Sequence, residues 1–367
     1  MNSLQVPIQQ ITVSAYTIPT DLPESDGTLQ WDHTTLVVVE ATAGDKQGFG
    51  YTYADTATAH LIKDKLAALI QGQNALDVPG AWHRMVHAIR NLGRPGIASM
   101  AIAGVDAALW DLKGQLLQLP LVTLLGAVRQ SVAIYGSGGF TSYTIEQLQQ
   151  QLSNWVAGGI SRVKMKIGRQ PAQDWGRVQA AKAAIGSAAD LFVDANGAYD
   201  RKQALFFAER FAELGVRWFE EPVPSSDLAG LHLLRERAPA GMAITAGEYG
   251  YDLVYFRRML EAGAVDVLMA DATRCAGITG FLKVGALCEA FEVPLSAHCA
   301  PSLHVHPCCA LGPVRHMEYF HDHARIEHLF FDGALDSVDG RLYPDLSRPG
   351  LGLALKKADV APYAVSV

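Results

Sequence analysis

Seven short apolar runs between Ser161 and Tyr319 each close on side chains that can ligate metals or carry protons. They are SRVKMK to Lys166, LFVDAN to Asp194 and Asn196, VRWFEEP to Glu220, MAITAGE to Glu248, VDVLMAD to Asp271, VPLSAH to His298 and RHMEY to Glu318. Successive spacings are 28, 26, 28, 23, 27 and 20 residues. A strand, a turn, a helix and a short loop take roughly 25 to 30 residues. In a (β/α)8 barrel all strand C-termini open on one face, so such a series gathers its terminal residues in one mouth.

Asp194, Glu220 and Glu248 end three successive strands and so become neighbours on the rim. Crowded carboxylates repel unless a cation compensates. All-oxygen ligation suits Mg²⁺, which keeps positions open for water or a substrate oxygen. A single acid at a strand end is commonly a solvated rim group, but three in register need a common cause. Asn196 lies two residues past Asp194 and on an extended backbone points the same way, toward a ligand near the metal.

Lys164 and Lys166 flank Met165, so a strand puts both ammonium groups on one face. Two close like charges lower one another's pKa, which leaves a neutral lysine available as a base. Their other reading is a pair of counter-charges for the nearby acids. Asp271 and His298 end adjacent strands. An Asp accepting from one imidazole nitrogen fixes the tautomer and makes the other nitrogen the better base. The chain has 12 histidines, so position rather than residue type singles out His298, which faces the lysine pair across the mouth. Glu318 can donate a hydrogen bond if burial or neighbouring acids keep it protonated; otherwise it is a rim carboxylate. Arg274, close behind Asp271, reads as a structural ion-pair partner rather than a substrate contact.

The elements that must hold these residues divide the chain in three. Residues 1–127 read as strands followed by helices, an α+β arrangement. ITVSAYTI and TTLVVVEAT are strand-like and flank a polar loop from Asp21 to His33. Helical stretches follow over Ala57–Ile70 and Gly80–Ile89, and along IASMAIAGVDAALWDLKGQLL. Residues 128–325 carry the alternating rhythm, with VAIYGS as the first barrel strand. Residues 326–367 are turn-rich and are expected to pack back on the first part.

The 367 residues are long enough for a large core with a smaller second unit. A formal charge of −7 gives no basic field for nucleic acid or anionic membrane. No apolar stretch approaches the roughly 18 residues of a membrane span, and MNSLQVPIQQ lacks the features of a secretory leader. Five cysteines without CxxC spacing read as reduced thiols in a cytoplasmic protein, not as disulfides or zinc ligands.

In this order VKMK, VDANGAY, FEEP, TAGE, DATRCAGIT and SAH resemble the enolase superfamily, specifically its mandelate racemase subgroup. AGVDAALWDLKGQ with LPLVTLLG resembles the helix and turn before the barrel in that family, and YPDLSRPGLGL its C-terminal return. The resemblance covers most of the chain. It implies a modified TIM barrel, (β/α)7β, under an α+β capping domain that the C-terminal segment completes. It further implies Asp194, Glu220 and Glu248 as Mg²⁺ ligands and Lys166 as base on one face of a substrate α-carbon. Lys164 would lie near the substrate carboxylate, and His298, oriented by Asp271, would be the acid or base on the other face. Glu318 would hydrogen-bond the ene-diolate oxygen. Ala276 departs from the glycine usual in that run. Relatives commonly form dimers or octamers, so a homo-oligomer is expected.

The favoured expectation is dehydration of a sugar acid, a small-molecule carboxylate, to a 2-keto-3-deoxy acid. Polar cap residues Asp21, Glu24, Asp26, Trp31, Asp32 and His33 in one lid, and Tyr51, Thr52 and Tyr53 in another, suit a polyhydroxylated ligand. The rival is a racemase or epimerase of a 2-hydroxy acid using Lys166 and His298 as two bases. A muconate-type cycloisomerase leaves the His–Asp pair without a role, and a non-catalytic sugar-acid binder leaves both bases without one.

Overall fold

The computed structural model describes residues 5–367. Met1–Leu4, the start of the segment from which no leader is expected, lie outside the described residues. Strands β1 (Gln10–Ser25), β2 (Gln30–Ala43) and β3 (Lys46–Tyr53) form an antiparallel sheet. A short strand, β15 (Ala364–Val365), pairs with β1, which ties the chain's end to its beginning. The β-branched inward residues Val37 and Val39 and the buried Ala41 meet a cap core that includes Ile102, Val105 and Leu109 of the helix Ile97–Leu117.

That helix lies directly on β3. A Cβ on Gly48 or Gly50 would come 2.3 Å from backbone atoms of Ala108, so only glycine allows the approach. Two buried acids on the same helix act as clamps. Asp106 accepts from the Thr279 backbone N–H (2.9 Å) and hydroxyl (2.6 Å) on a barrel helix. Asp111 accepts from the Phe49 N–H at 2.7 Å and the Leu351 N–H at 2.6 Å, joining cap, helix and C-terminal segment.

Eight parallel strands then close on themselves: β4 (Val132–Gly138), β5 (Arg162–Lys166), β6 (Asp190–Asp194), β7 (Val216–Glu220), β8 (Ala243–Ala246), β9 (Val267–Ala270), β10 (Leu295–Ala297) and β11 (Val314–Phe320). β11 pairs with β4 and completes the ring. Seven helices connect the eight strands, so this is a (β/α)7β barrel beneath an α+β cap. An aromatic and aliphatic layer of Tyr135, Phe192, Trp218, Val267 and Met269 fills part of the interior. Helix His321–Phe330 follows β11 and contains Arg325. Beyond it, β12 (Phe331–Asp332) pairs with β14 (Ala354–Leu355), and β13 (Arg341–Leu342) runs antiparallel to β4. Among the described residues no helix is long and apolar enough to cross a membrane.

Both expected lids differ from the sequence reading. The polar stretch from Asp21 to His33 is mostly strand, with Glu24 opposite Trp31 and Ser25 opposite Gln30 after a register shift. Only residues 26–29 turn, closed by Asp26 Oδ1, which accepts from the Thr28 and Leu29 N–H groups at 2.6 and 2.7 Å. Tyr51, Thr52 and Tyr53 are not a loop but the end of β3. The Tyr51 hydroxyl donates to Glu327 at 2.6 Å, Thr52 to the Thr273 carbonyl at 2.8 Å, and Tyr53 stacks on His323. These residues join cap to barrel.

Candidate active site

Strand register aligns the first half of the site. Lys166 pairs opposite Asp194, and Asp194 opposite Glu220. Glu248 lies two residues past β8, after Gly247, where a Cβ would come 2.1 Å from the Met269 carbonyl oxygen. Asp271, His298 and Glu318 complete the ring: the first two immediately follow β9 and β10, and Glu318 lies in β11. The structure thus brings all of these residues, with Lys164 and Asn196, to the C-terminal mouth, and all are buried.

Asp194, Glu220 and Glu248 offer carboxylate oxygens within 4.8 Å of one another. Lys166 Nζ is 2.5 Å from Asp194 Oδ2. Lys164 Nζ is 2.5 Å from Glu220 Oε1, 2.8 Å from Glu318 Oε1 and 3.3 Å from Asp194 Oδ2. Trp218 Nε1 donates to the second oxygen of Glu220 at 2.8 Å. Asn196 donates its backbone N–H to Asp194 Oδ1 at 2.9 Å, while its side-chain oxygen is buried without a partner. Across the mouth, His298 Nδ1 lies 2.8 Å from Asp271 Oδ2, and its Nε2 is 3.3 Å from Glu248 Oε2. Arg274 bridges the same two acids, at 3.4 Å from Glu248 and 3.8 Å from Asp271.

The electrostatics differ from the sequence expectation at two residues. Burial and Lys164 would lower the Lys166 pKa, but Asp194 together with Glu248 and Glu220 outweighs them and raises it. The lysine pair is therefore held charged by acids rather than made neutral by mutual repulsion. Burial would also raise Glu318, yet Lys164 and then His298 hold it well below the usual carboxylate range. In this arrangement Glu318 accepts from Lys164 rather than donating as a protonated acid. Asp271 is likewise held low, because the His298 hydrogen bond and the charges of His298, His304 and Arg274 together overcome its burial.

One acid escaped sequence reasoning. Glu221, directly after Glu220, has a φ of 37° and is buried. Burial, then Glu248 and Asp194, push its carboxyl up. The second acid of the FEEP run was its only signal. Cys299 also went unnoticed; its thiol sits 3.3 Å from His298 Nε2 and 3.4 Å from Glu318 Oε2. Ala276, where the resemblance implies glycine, adopts a φ of 66°, and its carbonyl accepts from Trp82 Nε1 at 2.7 Å.

Six buried acids (Asp194, Glu220, Glu221, Glu248, Asp271 and Glu318) thus face three permanent cations, Lys164, Lys166 and Arg274. That imbalance and the convergence of three oxygen donors fit a divalent cation of the hard, oxygen-seeking kind.

Comparison with known proteins agrees with the capped-barrel fold. Residues 10–126 match the mandelate racemase / muconate lactonizing enzyme N-terminal domain, and residues 147–360 an enolase C-terminal domain-like unit. The chain is 32% identical over 357 residues to a 3,6-anhydro-alpha-L-galactonate cycloisomerase of Streptomyces coelicolor, covering 95% of this chain and 97% of that protein. It is 30% identical over 363 residues to the L-talarate/galactarate dehydratase of Salmonella typhimurium, covering 95% and 89%. The crystal structure of that dehydratase, liganded with Mg and L-lyxarohydroxamate, aligns with a TM-score of 0.90 over 99% of this chain and 94% of that one. A mandelate racemase/muconate lactonizing enzyme-like protein from Rubrobacter xylanophilus, also a crystal structure, shares 54% identity with a TM-score of 0.96, covering 98% and 100%.

Proposed function

The chain belongs to the mandelate racemase / muconate lactonizing enzyme family of the enolase superfamily, and on that premise we propose that it is a Mg²⁺-dependent dehydratase of a sugar acid. The observation that carries the reading is the placement of two proton carriers, Lys166 and the Asp271-held His298, against one carboxylate cluster from opposite sides. Similarity to a sugar-acid dehydratase supports elimination as the outcome.

Asp194, Glu220 and Glu248 would hold the Mg²⁺, which supplies Lewis-acid stabilisation of charge developing on the substrate carboxylate. Lys164, fully buried and paired to Glu220 and Glu318, presents a fixed positive charge to that carboxylate. Lys166 removes the α-proton. Its contact with Asp194 favours the protonated form, and a dication held by Asp194 would weaken that contact and make the neutral amine available. Asp271 accepts from His298 Nδ1, so the imidazolium form of the ring donates from Nε2 to the departing β-hydroxyl and is left with the Nε2 lone pair. Water leaves, and the resulting enol tautomerises to a 2-keto-3-deoxy acid.

Lys166 and His298 on opposite sides also favour a second reading, epimerisation of a 2-hydroxy acid by proton removal on one face and return on the other. Incubation with a panel of acid sugars and Mg²⁺ in D₂O separates the two. The dehydratase gives a ketoacid that semicarbazide traps. An epimerase gives α-deuterium without ketoacid, and a panel that yields neither refutes both.

A further inference from the structure

We propose that His298, Cys299 and Glu318 form a second metal site, for a thiophilic divalent cation such as Zn²⁺, whose occupation switches off the acid–base group on that side of the mouth. The three donor atoms make a compact triangle: Nε2 to Sγ 3.3 Å, Sγ to Oε2 3.4 Å and Nε2 to Oε2 3.5 Å. Tetrahedral zinc bonded to nitrogen, sulfur and oxygen at its usual lengths separates these atoms by about 3.6, 3.5 and 3.3 Å in the same order. Each edge agrees within about 0.3 Å. Three protein ligands leave one tetrahedral position for water or a substrate oxygen.

The surroundings are those of a metal site. Asp271 Oδ2, 2.8 Å from His298 Nδ1, fixes the tautomer whose Nε2 lone pair faces the triangle, the carboxylate–histidine arrangement that orients metal-bound imidazoles. Lys164 holds the other oxygen of Glu318 at 2.8 Å, and the Cys299 N–H donates to Oε2 at 3.2 Å, so this carboxylate is also fixed. Cys299 has a φ of 55°, which departs from strand alternation and turns its side chain to the same side as His298. The reading of the five cysteines as reduced thiols rather than zinc ligands rested on missing CxxC spacing; here the ligands come from adjoining strand ends instead.

Mg²⁺ prefers oxygen donors, whereas the thiol and imidazole favour zinc or cobalt, so the two sites differ in the ions they select. On binding, the S–H bond breaks, the metal–sulfur bond forms and the proton passes to solvent. Metal on Nε2 occupies the lone pair that proton transfer needs. Inhibition therefore rests on the role proposed for His298, whereas binding does not.

The test uses the full chain with Mg²⁺ in excess, titrated with Co²⁺. A near-ultraviolet thiolate-to-cobalt charge-transfer band is expected in the wild type and should vanish in both Cys299→Ser and Cys299→Ala. Cobalt on the all-oxygen acids gives no such band. Absence of the band in the wild type at saturating cobalt, or its survival in both variants, overturns the site. With an acid-sugar substrate, zinc inhibition should weaken at least about tenfold in Cys299→Ser, since losing a direct ligand costs no less than losing an outer-shell one. Equal inhibition of both proteins overturns the switch. A cobalt band in a chain that turns over no acid sugar sustains the site and refutes the proposed dehydratase instead.

Discussion

Lys166 and His298 reach the same carboxylate trio from opposite sides of the barrel, Lys166 through Asp194 at 2.5 Å and His298 through Glu248 at 3.3 Å. Their strands, β5 and β10, are not neighbours in the ring. A substrate α-carbon held over the trio therefore meets a separate proton carrier on each face.

Replacing His298 with Asn removes one carrier and leaves the other. Elimination should fall by about 10² to 10⁴-fold, the usual contribution of a positioned acid or base. Exchange of the α-proton through Lys166 should persist, and NMR in D₂O reads both rates together. Dehydration at the wild-type rate in this variant rules out His298 as the acid.

Asp271→Asn tests the tautomer. The amide lacks the charge that balances an imidazolium and can present its N–H to Nδ1, so the doubly protonated ring that donates from Nε2 is lost. We expect a loss of about 10² to 10⁴-fold in turnover with Mg²⁺ affinity retained. A matching loss of metal affinity in calorimetry would place Asp271 in metal binding instead.

Glu220→Gln should act through the metal. Glu220 joins Asp194 and Glu248 within 4.8 Å, and its partners Lys164 and Trp218 are donors that a glutamine nitrogen would oppose. Mg²⁺ affinity should drop by at least about 10-fold to 100-fold, and turnover with it. Normal calorimetric affinity with full activity contradicts the assignment.

The barrel was legible because βα spacing is a property of chain length, which survives whatever residues fill it. That spacing placed Lys166, Asp194, Glu220, Glu248, Asp271, His298 and Glu318 at strand ends, and the structure brings them into one mouth. Details of the rim were hidden for a different reason. Alternation of side chains presumes extended backbone, yet Asn196, Glu221, Cys299 and Ala300 all have positive φ just beyond strand ends. Glu221 and Cys299 turn inward there, against the pattern. The charge of Lys166 was also hidden, because it depends on which acid lies closest and not on the KxK motif itself. Tyr51–Tyr53 looked like lid residues from polarity alone, while their hydroxyls are consumed by Glu327, Thr273 and His323.

Glu24 makes the cap hairpin sensitive to alkaline pH. It is fully buried, accepts from Trp31 Nε1 at 2.8 Å, and its other oxygen has no partner. Burial and then Asp322 raise its pKa from 4.5 to about 9. The folded state thus keeps a proton that the unfolded state releases. Its stabilising contribution is complete below pH 4.5, declines between 4.5 and 9, and is gone above 9. The melting temperature of the wild type relative to Glu24→Gln should therefore fall from pH 5 to 9 and then level off. A constant difference across that range contradicts a raised Glu24.

Gly27, in the turn of the same hairpin, tests whether the cap governs access to the mouth. A Cβ there would come 2.2 Å from the Ala195 carbonyl oxygen, 2.8 Å from that of Ile167 and 2.9 Å from the Ala198 Cβ. Ala195 lies between Asp194 and Asn196, and Ile167 follows Lys166, so the hairpin touches the backbone that carries the site. Gly27→Ala must lift the tip or push that backbone. Because misplacement on the order of 1 Å can cost about 100-fold, kcat/KM for an acid-sugar substrate should fall by about 10 to 100-fold. The melting temperature should move little, since the cap core of Val37, Val39 and Ile102 lies elsewhere. Unchanged kcat/KM in a folded variant would show that the hairpin tip has no part in forming the mouth.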